Sequence, residues 1–402
     1  MELLYFTTAI SSGMFEEIVR TSSYKPSAAP QTFESNLIKG IKNIESVNLS
    51  LFSFPMVATF PSSKFVAWGQ RYDEVCGITT RWIPTINLAG LKQLTIRLSS
   101  YYILKQWLNK VKNTEDKCVI IYSVYLPIVK NIAKLCKKNG CKSVCIVTDL
   151  PRDMYANRKA KGLKKLMCDY LTKQAIKVQS DFWGYVYLTK HMREVVNDKA
   201  PYIVVEGIGE SRTIKHIQKQ NKVVMYAGTL NKRFGIDIIL KAFLHMNSSY
   251  TLWIFGSGDY EKEVREYAEK CSNIVFWGRR PRNDILEYEM QASLLVNVRS
   301  ADDDYTKYSF PSKMIEYMQS GTPLLTSRLE GIPDEYYQYV YVIDEVDEVH
   351  LADKLREIFA DDGFATIGTK AREFIENNKN EMVQAKRIIE LIRSENNVLE
   401  TG

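Results

Sequence analysis

Histidine is scarce in this chain of 402 residues: only His191, His216, His245 and His350 are present. None follows an acidic strand end, so a mechanism built on an active-site histidine is not expected. The seven cysteines, Cys76, Cys118, Cys136, Cys141, Cys145, Cys168 and Cys271, are odd in number and scattered. Cys141 and Cys145 stand close together, but no second pair and no nearby histidine completes a zinc site. Reduced thiols of a cytosolic protein are the expectation. No run of about 18 uncharged apolar residues occurs, which argues against a membrane-spanning helix. The start, MELLYFTTAISSG, lacks a basic leader and reads as a buried first strand. Internal repeats and low-complexity tracts are also missing.

What is present suits two globular domains. The chain is long enough for each to bury its own core, and its apolar fraction of 45% and charged fraction of 25% are ordinary for such proteins. The net charge of +7 conceals a division. Residues 1–200 hold 29 Lys and Arg against 15 Asp and Glu; residues 201–402 hold 25 against 32. A basic half joined to an acidic half points to a polyanion or an anionic membrane as partner of the first half alone. Within it, residues 158–177 form a basic helical stretch with Leu163, Leu166, Met167, Tyr170 and Leu171 on one side. Aromatics accompany lysines again in 100–112. Either segment could lie on a membrane surface or be a solvated helix face. Nucleic acid is not expected, because the charge is spread and no known binding module is present.

Apolar runs alternate with helical periodicity in the first half, the pattern of a parallel sheet covered on both faces. Strands are expected at 3–7, 46–52, 118–122, 143–148, 185–188 and 202–206, and helices at 33–44, 91–112 and 126–138. After a polar stretch at 208–220, which reads as a linker, a second alternation starts. It gives strands at 223–226, 251–255, 274–277, 294–298 and 323–326 and helices at 236–243, 260–269 and 283–291. An amphipathic helix at 383–393 ends the chain. The expected division is therefore 1–207, a linker at 208–220, a second domain at 221–382, and a terminal helix with its tail at 383–402. In open α/β sheets ligands collect at the carboxyl ends of strands.

Residues 305–323, YTKYSFPSKMIEYMQSGTP, carry the most chemistry. A loop through Pro311 and Ser312 leads into a short helix, 313–319, with Ser312 expected at its cap and Lys313 in its first turn. Such a helix start can hold phosphate oxygens. Met314, Ile315 and Met318 share one face suited to burial, while Lys313 and Glu316 share another. The bland alternative is a capped surface helix with an incidental ion pair.

The run resembles the nucleotide-binding signature of the retaining family-four glycosyltransferases of GT-B fold, in the form used by a bacterial polysaccharide-biosynthesis branch. Relatives carry two glutamates separated by seven residues; here the second is Glu316, and Tyr308 takes the first position. Further segments fit in order. Residues 226–235 (YAGTLNKRFG) resemble the turn that holds the donor diphosphate, although Thr229 and Phe234 stand where the family has Arg and Lys. Arg233 is then the preferred cation, with Lys232 beside it. Gly256 belongs to the family's Gly-x-Gly turn, and Arg279 and Arg280 follow a strand whose end meets the base. In the first half, Ser12 and Gly13 occupy the loop on the acceptor side, and Asp149 stands where relatives carry His-Asp; capping the next helix is an equal alternative for Asp149.

The resemblance implies an α/β protein with two Rossmann-like domains facing a cleft and a C-terminal helix crossing back to the first. It implies transfer of a sugar with retention, from a nucleotide-sugar donor, UDP-sugar favoured, to a saccharide acceptor, expected to be a lipid-linked oligosaccharide at the inner face of a bacterial membrane. Arg233, Lys313 and Asp149 are the catalytic candidates. The donor would lie against Gly228, Thr229, Lys232, Gly256, Arg279, Arg280, Tyr308, Ser309, Phe310, Pro311, Ser312 and Glu316. The family needs no metal and no cofactor, so the acidic run Asp302, Asp303 and Asp304 is not read as a manganese site. Tyr308 and the missing Arg and Lys keep a second reading open, a catalytically silent GT-B partner that steadies an active transferase. A sugar-nucleotide epimerase would want more acid and base groups than the sequence offers.

Overall fold

The computed structural model describes residues 1–23, 28–155, 161–211, 217–300 and 304–394. The chain divides into two compact units, Met1–Ile208 with Glu381–Gly402, and Gly209–Asn380. Each is built around its own sheet.

In the first unit seven parallel strands run in the order Tyr202–Val204, Gly184–Tyr187, Lys142–Val147, Lys117–Tyr122, Glu2–Thr7, Asn48–Ser53 and Ile78–Trp82. An antiparallel edge strand, Tyr72–Val75, closes the series. The central strands are apolar along their whole length, as burial on both faces requires. Sequence periodicity located most of these strands to within two residues. It missed Tyr72–Val75 and Ile78–Trp82, whose Thr, Arg and Glu residues dilute the apolar signal. The helix expected at 33–44 spans Ala28–Lys42, because Pro30 lies in its first turn, where its missing N–H costs nothing.

The terminal helix Glu381–Arg393 packs on Ala28–Lys42 and belongs to the first unit, as the resemblance implied. Its Ala385, Ile388, Ile389 and Ile392 join the core formed by Leu37, Ile38 and Ile41. Two amides fix the junction: Asn36 donates to the carbonyl of Ile208 at 2.9 Å, and Gln384 to that of Gly207 at 3.2 Å.

The second unit holds six parallel strands ordered Ile274–Gly278, Thr251–Ser257, Val223–Thr229, Leu294–Asn297, Leu324–Ser327 and Tyr341–Ile343. In chain order this is 3-2-1-4-5-6, the doubly wound arrangement whose ligand crevice opens where the order reverses. The reversal lies between Val223–Thr229 and Leu294–Asn297. These two strands pair only through Val224 and Met225 and then separate. The last strand, Tyr341–Ile343, lies beyond those read from sequence.

Candidate functional site

The fork between the separating strands is held by one hydroxyl. Tyr317, from the helix Lys313–Gln319, receives the N–H of Ala227 at 2.7 Å and donates to its carbonyl at 3.0 Å. Both backbone groups would otherwise be orphaned in the core, so the tyrosine replaces the ladder that the fork gives up. Met314, Ile315 and Met318 fill the space beneath, all buried as their spacing required. The helix read from the motif is thereby keyed to the switch point of the sheet. Nothing in its apolar periodicity singled out Tyr317, because the decisive group is polar and its partner lies ninety residues away.

Glycines bring backbone to backbone around the same crevice. Gly256 has φ +132°, and a Cβ there would lie 1.9 Å from the carbonyl oxygen of Gly228 on the adjacent strand. Gly235 has φ +77°, and its Cβ would lie 2.0 Å from the carbonyl of Val298, just past Leu294–Asn297. Only glycine fits either position. The second contact ties the turn bearing Lys232 and Arg233 to the opposite lip of the fork. That turn is a short 3₁₀ helix, Lys232–Phe234, started by the Asn231 side chain, which accepts from Arg233 N–H at 2.9 Å. Lys232 and Arg233 are exposed, and Thr229 is exposed at the strand end. The Arg233 guanidinium lies 3.5 Å from the ring centre of Tyr305, which fixes its direction.

Glu316 sits in a cluster of alternating charge. Its carboxylate takes a hydrogen bond from Lys313 and lies 3.5 Å from Arg282 Nε, and Arg282 also contacts Glu210 at 3.3 Å. Lys313 in turn lies 3.5 Å from Glu289, a fully buried carboxylate on the helix Arg282–Gln291. Burial pushes the Glu316 carboxyl upward, but Lys313, a hydrogen bond shared with Glu289, and Arg282 outweigh it and hold the group at about 2. Burial likewise works against the charged Lys313, and the two glutamates raise it above its ordinary value. Glu289, Arg282 and Glu210 were invisible to motif reading, since they come from two other segments.

The structure corrects one detail of the helix start. Ser312 is exposed with helical backbone (φ −53°, ψ −30°) and makes no capping hydrogen bond with its side chain. Met314 N–H goes instead to the carbonyl of Pro311 at 2.8 Å, which removes the donor a capping serine would take. Phe310 and Pro311 are buried, while Tyr308 and Ser309 are half-buried at the end of the 3₁₀ helix Asp304–Tyr308. Arg279 and Arg280 are exposed directly after the strand Ile274–Gly278, with Arg280 5.9 Å from the Trp277 ring. Asp302 and Asp303 lie outside the described residues, as does His216.

In the first unit, Ser12 and Gly13 open the helix Ser12–Thr21. Ser11 caps it, accepting from Met14 N–H at 3.3 Å, and its own N–H is held by Asp73 at 2.8 Å. A Cβ on Gly13 would meet no atom within 4 Å, so the protein leaves this approach open. Asp149 follows Lys142–Val147 and accepts from the Thr148 hydroxyl at 3.2 Å. Desolvation at the strand end, with Asp153 nearby, raises its carboxyl above the ordinary range although the residue reaches solvent. The start of this unit's crevice is organised by Glu34, which the sequence reading did not single out. It is fully buried and accepts from the hydroxyls of Tyr5 (3.2 Å), Thr7 (2.5 Å) and Thr8 and from Thr8 N–H (3.0 Å).

Two doubly wound units with a terminal helix returning to the first define the GT-B class. Solved structures of that class match over nearly the whole chain. Sucrose-phosphate synthase from Thermosynechococcus elongatus is 13% identical with a TM-score of 0.64, covering 98% of both chains. The lipopolysaccharide outer core galactosyltransferase WaaB, in its apo form, is 15% identical with a TM-score of 0.63, covering 98% of this chain and 99% of that one. HepE of Anabaena, in complex with UDP, is 13% identical with a TM-score of 0.61, covering 97% and 99%. At such identities these likenesses establish the fold. No curated protein matches the chain in sequence. Residues 208–381 match the family described as glycosyl transferases group 1.

Proposed function

We propose that the protein is a retaining, metal-independent glycosyltransferase that moves a sugar from a nucleotide-sugar, UDP-sugar favoured, to a saccharide acceptor. The acceptor in this reading is a lipid-linked oligosaccharide of bacterial surface polysaccharide synthesis, met at the inner face of the plasma membrane. The observation that carries it is the fork of the second sheet, where Gly228, Gly256 and Gly235 bare the backbone beside the exposed Arg233. Backbone that can approach closely, next to a directed guanidinium, suits a diphosphate. HepE was solved with UDP, which supports the choice of nucleotide.

The chemistry follows from charge. As the bond to the anomeric carbon breaks, negative charge grows on the departing diphosphate, and pre-aimed cations stabilise it. In this reading Arg233 supplies that cation, with Lys232 next to it in sequence. Lys313 is held by Glu316 and Glu289, so its main effect in this reading is to fix Glu316. A carboxylate held ionised at Glu316 suits two ribose hydroxyls. The departing phosphate can itself take the acceptor proton, so this reading needs no histidine base. Asp149, Ser12 and Gly13 are assigned to the acceptor side, and Tyr308 with Ser309 to the donor sugar.

Tyr308 at the first glutamate position, with Lys313 neutralised by two carboxylates, favours a second reading: a silent GT-B partner that binds an active transferase. Calorimetry with UDP on wild type and Glu316→Ala separates the two. Tight UDP binding lost on substitution supports the enzyme; no UDP binding by the wild type supports the partner.

A further inference from the structure

Three helices of the first unit lie side by side in the order Leu91–Lys110, Leu126–Lys138 and Leu163–Gln179. Their outer face combines two features that a water-facing surface does not need. The first is an apolar stripe. Leu91, Leu94, Leu98 and Tyr102 recur at spacings of three and four along the first helix, and all are exposed, Tyr102 to 60%. On the third helix Leu166, Met167 and Tyr170 are exposed as well, Leu166 to 66%. Isolated exposed apolar residues are ordinary, but rows of them on the two helices that flank Leu126–Lys138 mark a surface awaiting a partner. The second feature is charge. The 50 residues of these helices include twelve Lys and Arg and a single carboxylate, Asp169. Lys105 continues the stripe of the first helix, and Lys134 and Lys173 stand exposed on the other two.

We infer that this three-helix face is a monotopic docking surface for an anionic lipid bilayer, with the leucines and tyrosines entering the headgroup boundary and the lysines lying on the phosphates. Protein partners of obligate type would call for an apolar core with depleted lysine, the reverse of this composition. An interfacial element with apolar residues on one side and lysines around them is what an acidic membrane surface binds. The inference deepens the reading of a lipid-linked acceptor by naming the surface that would bring the first unit to it. Of the basic segments read at 100–112 and 158–177, Lys105 and Lys173 are exposed on these helices, while residues 158–160 lie outside the described residues.

The test is co-sedimentation of the full chain with vesicles of phosphatidylcholine alone and with about 30% phosphatidylglycerol, the acidic lipid supplying the surface potential that attracts basic segments. Two double variants, Leu98→Glu with Tyr102→Glu and Leu166→Glu with Tyr170→Glu, change only exposed side chains. The expected result is binding to acidic vesicles that weakens as salt rises and falls at least about tenfold in each variant, with UDP affinity in free solution unchanged. Equal binding to both vesicle types, or variants that bind like wild type, would overturn it. So would self-association without vesicles that the variants abolish, because a second copy would then cover the face. A protein that docks on vesicles yet binds no UDP would sink the transferase reading and leave this one standing.

Discussion

At the scale of single residues, the candidate site rests on charges that hold one another. Arg233→Ala should lower kcat by roughly 10²–10³ with a smaller change in KM, because the charge it meets develops mainly in the transition state. Steady-state kinetics would show this; an effect confined to KM would make Arg233 a ground-state contact. Glu316 makes a linked prediction in stability. Its folded carboxyl is held at about 2, below the ordinary glutamate range. Its stabilising contribution is therefore complete above about pH 4.5 and is lost as pH falls towards 2. Thermal melts of Glu316→Gln should be less sensitive to pH over that window than wild type, and an unchanged slope would remove the ion cluster as its cause. Tyr308 bears on the donor. A phenol gives one hydrogen bond and an apolar ring where a carboxylate would accept several, which suits a deoxy or N-acetylated sugar. Across a donor panel, Tyr308→Glu should disfavour the native donor by about 1–3 kcal/mol, the cost of a buried polar group left unpaired. Faster transfer by the variant would mark Tyr308 as a degraded catalytic position.

At the scale of elements, the signature helix works because it is pinned to the sheet fork. Tyr317→Phe removes the only group bonded to both polar atoms of Ala227 among the described contacts, and should cost about 1–3 kcal/mol of stability. Chemical denaturation would measure it, and UDP affinity should fall in step as the fork loosens. How far these elements could be read from sequence depended on the kind of signal. Met314, Ile315 and Met318 were legible because burial imposes a periodicity on neighbours in the chain. The helix Leu126–Lys138 was legible to its ends for the same reason. Tyr317 with Ala227, and Glu289 with Lys313, were not, because a long-range hydrogen bond or ion pair leaves no local pattern. Gly228 and Gly256 read as turn residues, yet both lie inside the strands Val223–Thr229 and Thr251–Ser257, and their close contact appears only once those strands are paired. Ser312 stands at the expected cap position, but its side chain makes no capping bond, because the Met314 N–H is already taken by the Pro311 carbonyl, which no local pattern reveals.

For the molecule as a whole, each unit places its chemistry at the carboxyl ends of a doubly wound sheet, and the first unit adds a pH dependence there. Burial, set against four donors, raises the Glu34 carboxyl to about 7. A raised carboxyl stabilises the fold fully below its unfolded value, near 4.5, and that contribution is lost as pH rises towards 7. Stability should therefore decline between about pH 4.5 and 7. Glu34→Gln should flatten the decline, and a decline of the same slope in the variant would place its origin elsewhere. The central claim, however, is transfer of a sugar from a nucleotide donor. The most direct measurement is a screen of UDP-, GDP- and TDP-sugars that follows release of the nucleoside diphosphate, with and without a lipid-linked saccharide acceptor. The account predicts acceptor-dependent release of UDP from one sugar nucleotide, without added metal and abolished in Glu316→Ala. Tight UDP binding with no release from any donor, on any acceptor, until a second transferase is supplied would contradict it.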